Sequence, residues 1–208
     1  GRIRGAAGVI GCSNPNVEYE EGHISMVKEL LKNDVIVVTT GCNAISCGKH
    51  GLLQPESAFT YAGKGLREVC EAVGIPPVLH LGSCVDNSRI LRVLSNVVAE
   101  GGLGEDISEL PVAGAAPEWM SEKAVSIGFY FVASGVYTVI GHPLPMMGSK
   151  NLYRYLTEEI EQETGGKWAF ELDPVKAAHM MIQHIDKKRA ALKLKPMIYE
   201  QELQPVAV

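Results

Sequence analysis

The sequence predicts a three-layer αβα domain built on a mostly parallel, doubly wound sheet. Three observations carry that prediction. Apolar runs alternate with helix-periodic segments in units of roughly 30–40 residues, the span of a strand–helix–strand crossover. Val35-Ile36-Val37-Val38 is an unbroken β-branched run, the pattern of a strand covered on both faces. The stretches 9–14, 39–44 and 81–86 each pass from apolar residues through a small residue to a cysteine and then a polar residue. In a parallel sheet such turns share the carboxyl edge of the strands, where this architecture builds its sites.

In chain order, the first strand is expected over 6–12, ending at Cys12, with Asn14-Pro15-Asn16 turning the chain away. Ile24, Val27, Leu30 and Leu31 then fall at helical spacing, predicting a helix over 24–33. The second strand, 34–40, delivers Cys42. Helices follow at 44–53 and 63–73, split by Gln54-Pro55 and closed by Gly74. The third strand, 77–81, leads through Gly82-Ser83 to Cys84. Asp86, Asn87 or Ser88 can cap the next helix, whose stripe is Ile90, Leu91, Leu94, Val97 and Val98. After a glycine-rich turn at 101–104 comes the fourth strand, 111–115, and a helix over 121–134 that reads as buried on most sides. The fifth strand, 137–141, precedes His142-Pro143-Leu144-Pro145. Two last helices, 151–163 and 174–192, bracket a short strand at 168–172. Residues 1–194 therefore read as one domain, and 195–208 as a tail lying on the surface or on another chain.

Composition excludes several classes. Of 208 residues, 46% are hydrophobic and 21% charged, which suits a folded domain rather than a disordered one. The net charge of −5 is spread along the chain, with no basic patch for nucleic acid or anionic lipid. No apolar stretch approaches the roughly 20 residues of a membrane span, and no secretory leader is visible, so the chain reads as cytoplasmic. It begins Gly-Arg-Ile-Arg, without methionine, and reads as a piece of something longer.

The five cysteines are widely spaced, which argues against a disulfide framework. Cys12, Cys42 and Cys84 are expected to converge, because strand-end loops are surface features that core packing does not fill with thiols. A shared metal or cluster role follows. The absence of a CxxC pair argues against tetrahedral zinc and leaves cluster ligands on separate loops. Cys70, mid-helix beside Val69 and Val73, reads as packing, and so does Cys47, although it lies near enough to Cys42 to reach the same site. Lys123 falls in the first turn of its helix, where the dipole disfavours a cation. It is either a solvated lysine or an acid–base group facing the cysteine edge. His142 reads as hydrogen-bonded in its turn, and His80 as a core histidine; His23, His50, His179 and His184 form no pattern. Gly101-Gly102-x-Gly104 follows no strand and is no dinucleotide fingerprint.

Four blocks then add a resemblance: Gly-Cys-Ser-Asn-Pro at Cys12, Thr-Gly-Cys-Asn-Ala at Cys42, the run 76–89 ending Gly-Ser-Cys-Val-Asp-Asn-Ser-Arg, and Ala-Pro-Glu-Trp-Met-Ser-Glu-Lys-Ala-Val at 116–125. From about residue 3 to about 193 the chain resembles the carboxyl-terminal part of anaerobic nickel-iron-sulfur carbon monoxide dehydrogenases. The resemblance implies a Rossmann-like domain in which Cys12, Cys42 and Cys84 hold part of a nickel-iron-sulfur cluster of the Ni-4Fe-4S type, with Cys84 on nickel. It implies Lys123 as the acid–base and electrostatic group, and Ile127 as a wall of the pocket. The implied oxidoreductase reaction converts carbon monoxide and water to carbon dioxide, two protons and two electrons, with nickel and iron sharing the Lewis-acid and nucleophile-generating roles.

The family's remaining ligands and electron-transfer cysteines lie in an amino-terminal half that this sequence lacks, so the isolated chain is expected to be inactive. Implied partners are that half, a second copy in a homodimer, and an acceptor such as ferredoxin. Two alternatives stand beside this reading: a non-catalytic folding or assembly domain, and a reductase resembling hybrid-cluster proteins. The Ser121-Glu122-Lys123 block argues against the last.

Overall fold

The computed structural model describes residues 1–142, 144 and 148–199. Six strands form one sheet: β1 (Gly5–Val9), β2 (Val35–Thr39), β3 (Val78–His80), β4 (Val112–Ala116), β5 (Thr138–Ile140) and β6 (Trp168–Phe170). Their order is β3-β2-β1-β4-β5-β6, and every pair is parallel. The chain winds outward from β1 in one direction through β3, then returns to β1's other side with β4. Between β1 and β4 the winding reverses, which opens a crevice at the strands' carboxyl ends.

One sheet face carries α1 (Glu21–Lys32), α2 (Gly41–Lys49), α4 (Lys64–Val73) and α9 (Pro174–Ala191), around Leu30, Leu31, Leu66, Met181 and Ile182. The other carries α5 (Ser88–Gly101), α6 (Glu122–Ala133), α7 (Lys150–Arg154) and α8 (Ile160–Thr164), with Phe131, Val132, Leu156, Ile160 and Trp168 buried there. The three-layer prediction holds. Asp173 starts α9 by accepting hydrogen bonds from the Val175 and Lys176 amides at 2.9 and 3.0 Å, with Pro174 in the first turn. No helix among the described residues is long and apolar enough to cross a membrane.

Several boundaries differ from expectation. β1 stops at Val9, not Cys12, because its partner β2 ends opposite at Thr39 and Gly11 turns to φ +113°. β2 is fully buried on one face, while Ile36 and Val38 on the other are only half-buried. α2 begins three residues earlier than expected, and a short helix, α3 (Ser57–Tyr61), follows Pro55. The 151–163 helix is interrupted by a π-helical turn at Tyr155–Glu159. Rather than being buried on most sides, α6 buries Ala124, Gly128, Phe131 and Val132 and exposes Tyr130. Of the tail, residues 195–199 return to the amino terminus: Ile198 N donates to Gly1 O at 2.9 Å and Tyr199 to Glu68 at 2.6 Å. Pro143, Pro145 and 200–208 lie outside the described residues.

Candidate functional site

The predicted cysteines stand on one rim. Cys12 follows β1, Cys42 lies in the first turn of α2 after β2, and Cys84 opens a 3₁₀ turn (Cys84–Asp86) after β3. All three are free thiols, with Cys42 exposed and the other two half-buried. Cys47 and Cys70 are buried instead, and burial pushes the Cys47 thiol up to about 12 and raises Cys70 as well. Those two stay protonated and are packing groups, as their helical positions predict.

Contacts link the rim into a chain. Cys12 Sγ lies 3.6 Å from Ser121 Oγ, and two residues along, Lys123 Nζ donates to Cys84 Sγ at 3.5 Å. The Cys84 loop in turn packs on Gly41: a Cβ there would sit 3.1 Å from Cys84 Cβ. Gly41 holds φ +61° and its amide donates to Gly82 O at 3.0 Å, so the turn that presents Cys42 leans on the loop that presents Cys84. The thiols nevertheless do not share one coordination sphere: among the described residues no three His, Cys, Asp or Glu side chains gather closely enough for a single metal ion.

Behind each thiol stands a buried polar side chain. Asn87 donates to Cys84 O at 2.9 Å and accepts from the Thr40 hydroxyl. Asp86 reaches back to the Ser83 amide and hydroxyl at 2.8 and 3.0 Å, contacts that hold its carboxyl below the usual range. Asn43 donates to Val9 O at 2.6 Å and Thr39 Oγ1 at 2.8 Å, tying the ends of β1 and β2. His23, fully buried, donates from Nε2 to Cys12 O at 2.8 Å, and Glu118, 1% exposed, lies behind it. Burial holds His23 below the ordinary histidine value against the pull of Glu118, so the neutral Nε2–H form makes this bond.

Lys123 is exposed at the crevice, which fits both the solvated and the acid–base reading. Ile127, one turn on, packs beside Ile10, Ile90 and Phe131. The carbonyl of His142 accepts from Trp119 Nε1 at 2.9 Å. His80 is exposed, not a core histidine, because β3 is the edge strand and its end lies open. His23 was the histidine to single out: it shares the apolar stripe of Val27 and Leu30 at helical spacing, and that alignment marks it as buried.

The donor set suits a thiophilic multi-metal cluster, one thiolate per metal, better than a mononuclear ion. Three accessible cysteines on separate loops can each reach a different metal, and the remaining donors of such a cluster must come from outside this set. Fold and rim together define a class: a doubly wound parallel domain whose switch-point crevice carries thiols and one lysine. The chain belongs to the Prismane/CO dehydrogenase family, whose model matches residues 1–175.

Carbon monoxide dehydrogenase 1 of Methanosarcina mazei is 57% identical over 194 residues, 93% of this chain and 30% of the relative. The nickel-free, as-isolated carbon monoxide dehydrogenase of Thermococcus sp. AM4 superposes with a TM-score of 0.90 at 51% identity, covering 94% of this chain and 30% of that one. Carbon monoxide dehydrogenase IV of Carboxydothermus hydrogenoformans gives 0.89 at 46% identity, over 93% and 32%. The chain thus spans about 30% of the length of the relatives it matches.

Proposed function

We propose that this chain supplies one wall of a carbon monoxide dehydrogenase active site, with Cys12, Cys42 and Cys84 as cluster ligands and Lys123 as the proton-handling group. The observation that carries the reading is the Lys123–Cys84 contact at 3.5 Å, which sets a mobile proton beside a soft ligand in the switch-point crevice. The reaction is CO + H2O ⇌ CO2 + 2H⁺ + 2e⁻. When bound, a nickel-iron-sulfur cluster supplies the Lewis acid for carbon monoxide and the store for two electrons.

The chain's own residues do the rest. The three thiolates would hold metals of such a cluster, with Cys84 the one that would take nickel. Lys123 holds a proton at Nζ, exchanges it with solvent through its exposed side, and balances negative charge at Cys84. The wall of Ile10 and Ile127 keeps the adjoining surface apolar. The reading places the protein in an anaerobic cytoplasm, as a homodimer completed by an amino-terminal half and passing electrons to an acceptor such as ferredoxin.

The test is anaerobic production of the intact protein with metal analysis and carbon-monoxide-dependent dye reduction. Cys84→Ala should remove nickel, and Lys123→Ala should keep metal but lose turnover. Full activity in both variants would reject the assignment, and carbon monoxide oxidation by these 208 residues alone would reject the incomplete-site reading.

A further inference from the structure

Helix α1 starts without a side-chain cap of its own: Glu20 at its amino terminus is left-handed, with φ 66°, and makes no capping bond. The cap comes from the other side of the switch point. Glu118, in the loop after β4, accepts the Glu20 amide on Oε2 at 3.2 Å and the His23 amide on Oε1 at 3.3 Å. A capping box normally divides these two bonds between two side chains of the same helix, and here one carboxylate makes both. Gly22 leaves room for it, since a Cβ there would stand 3.2 Å from Glu118 Cγ.

Glu118 is nearly inaccessible, and the His23 ring it faces, with Nε2 4.0 Å away, is neutral. A buried carboxylate so poorly paired persists only where backbone donors satisfy it, and it therefore fixes the position of those donors. The same His23 donates to Cys12 O. Glu118 and Ser121 belong to one short loop, and Cys12 Sγ meets Ser121 Oγ at 3.6 Å, two residues before Lys123. Asn14 adds a parallel tie, donating to Trp119 O at 3.3 Å. Two loops about a hundred positions apart are thus locked in one register.

We infer that Glu118 and His23 are positioning residues that set the Cys12 thiol relative to Lys123 across the switch point. The inference rests on Cys12 being a cluster ligand. Outer-shell partners of metal ligands typically contribute about tenfold to a hundredfold in affinity or activity, and that is the effect expected here. In the intact protein, Glu118→Ala and His23→Leu should lower metal content and turnover by that factor and change the electron paramagnetic resonance line shape of the reduced cluster. His23→Gln, whose amide donates from nearly the same place, should restore both.

Cys12→Ala is the reference. If it leaves metal content untouched, Cys12 is no ligand and the reading beneath the inference fails. If it strips metal while Glu118→Ala and His23→Leu keep wild-type content and line shape, the positioning role is overturned. Equal losses in His23→Leu and His23→Gln overturn it too, and the His23 pair decides the matter should Glu118→Ala not fold.

Discussion

Replacing Gly41 with alanine tests the packing of the Cys42 turn against the Cys84 loop. Two penalties add. A non-glycine residue held in the left-handed region, where Gly41 sits at φ +61°, costs about 1–2 kcal/mol. The new Cβ would also lie 3.1 Å from Cys84 Cβ and 3.3 Å from its Cα and backbone nitrogen, and overpacking of that kind costs about 1–3 kcal/mol. Gly51 provides the control, because it has φ +70° and nothing within 4 Å of a Cβ. Gly51→Ala should therefore show the dihedral cost alone, about 1–2 kcal/mol, and Gly41→Ala about 2–5 kcal/mol. Urea unfolding of both variants under reducing conditions, followed by tryptophan fluorescence, gives the difference. Equal losses within about 0.5 kcal/mol would refute the contact between the two cysteine loops.

Three further outcomes follow from the same structure. Iodoacetamide applied to the metal-free folded protein should label Cys42 first, then Cys12 and Cys84, and leave buried Cys47 and Cys70 untouched until unfolding, as peptide mass spectrometry would show. His184 stacks on Tyr137 with ring centroids 4.5 Å apart, and burial, aided by Lys188, pushes its pKa down from 6.5 to about 4. Its folded value lies below its unfolded one, so the neutral ring contributes stability above pH 6.5 that is lost as pH falls toward 4; the full loss is on the order of 3 kcal/mol. His184→Phe keeps the stacking and should flatten that part of the stability–pH curve; parallel curves would count against it. Gly128→Ala would drive a Cβ to 2.3 Å from the buried Trp168 ring, and should cost about 1–3 kcal/mol and alter the near-ultraviolet dichroism of that tryptophan.

The layered fold was legible because its signals are local: the β-branched run at 35–38 and the amphipathic stripes. The rim was legible for the same reason, since a small residue and a cysteine after an apolar run, Gly11-Cys12, Gly41-Cys42 and Ser83-Cys84, state both the turn and the thiol. What escaped depends on neighbours distant in sequence. β1 ends where β2 stops pairing, which its own residues do not announce. His80 looks apolar in context, and only its place on an edge strand exposes it. Pro55 reads as a breaker, yet it stands in the turn that leads into α3, where a proline removes no needed donor. Glu118 and His23 read as ordinary polar residues, because the cap they build joins positions 95 apart in sequence.

The strand order also fixes a schedule. β1, β2 and β3, with Cys12, Cys42 and Cys84, are complete by residue 84, whereas β4 follows about thirty residues later and Lys123 about forty. A chain made from its amino end therefore presents its three thiols before the lysine and the trans-acting cap arrive. During that interval nothing from beyond β4 screens them, and an oxidant would meet them first. Cell-free synthesis in air should thus trap cross-linked or oxidised rim cysteines, whereas the same synthesis under reductant should let β4 close beside β1 and give the native register.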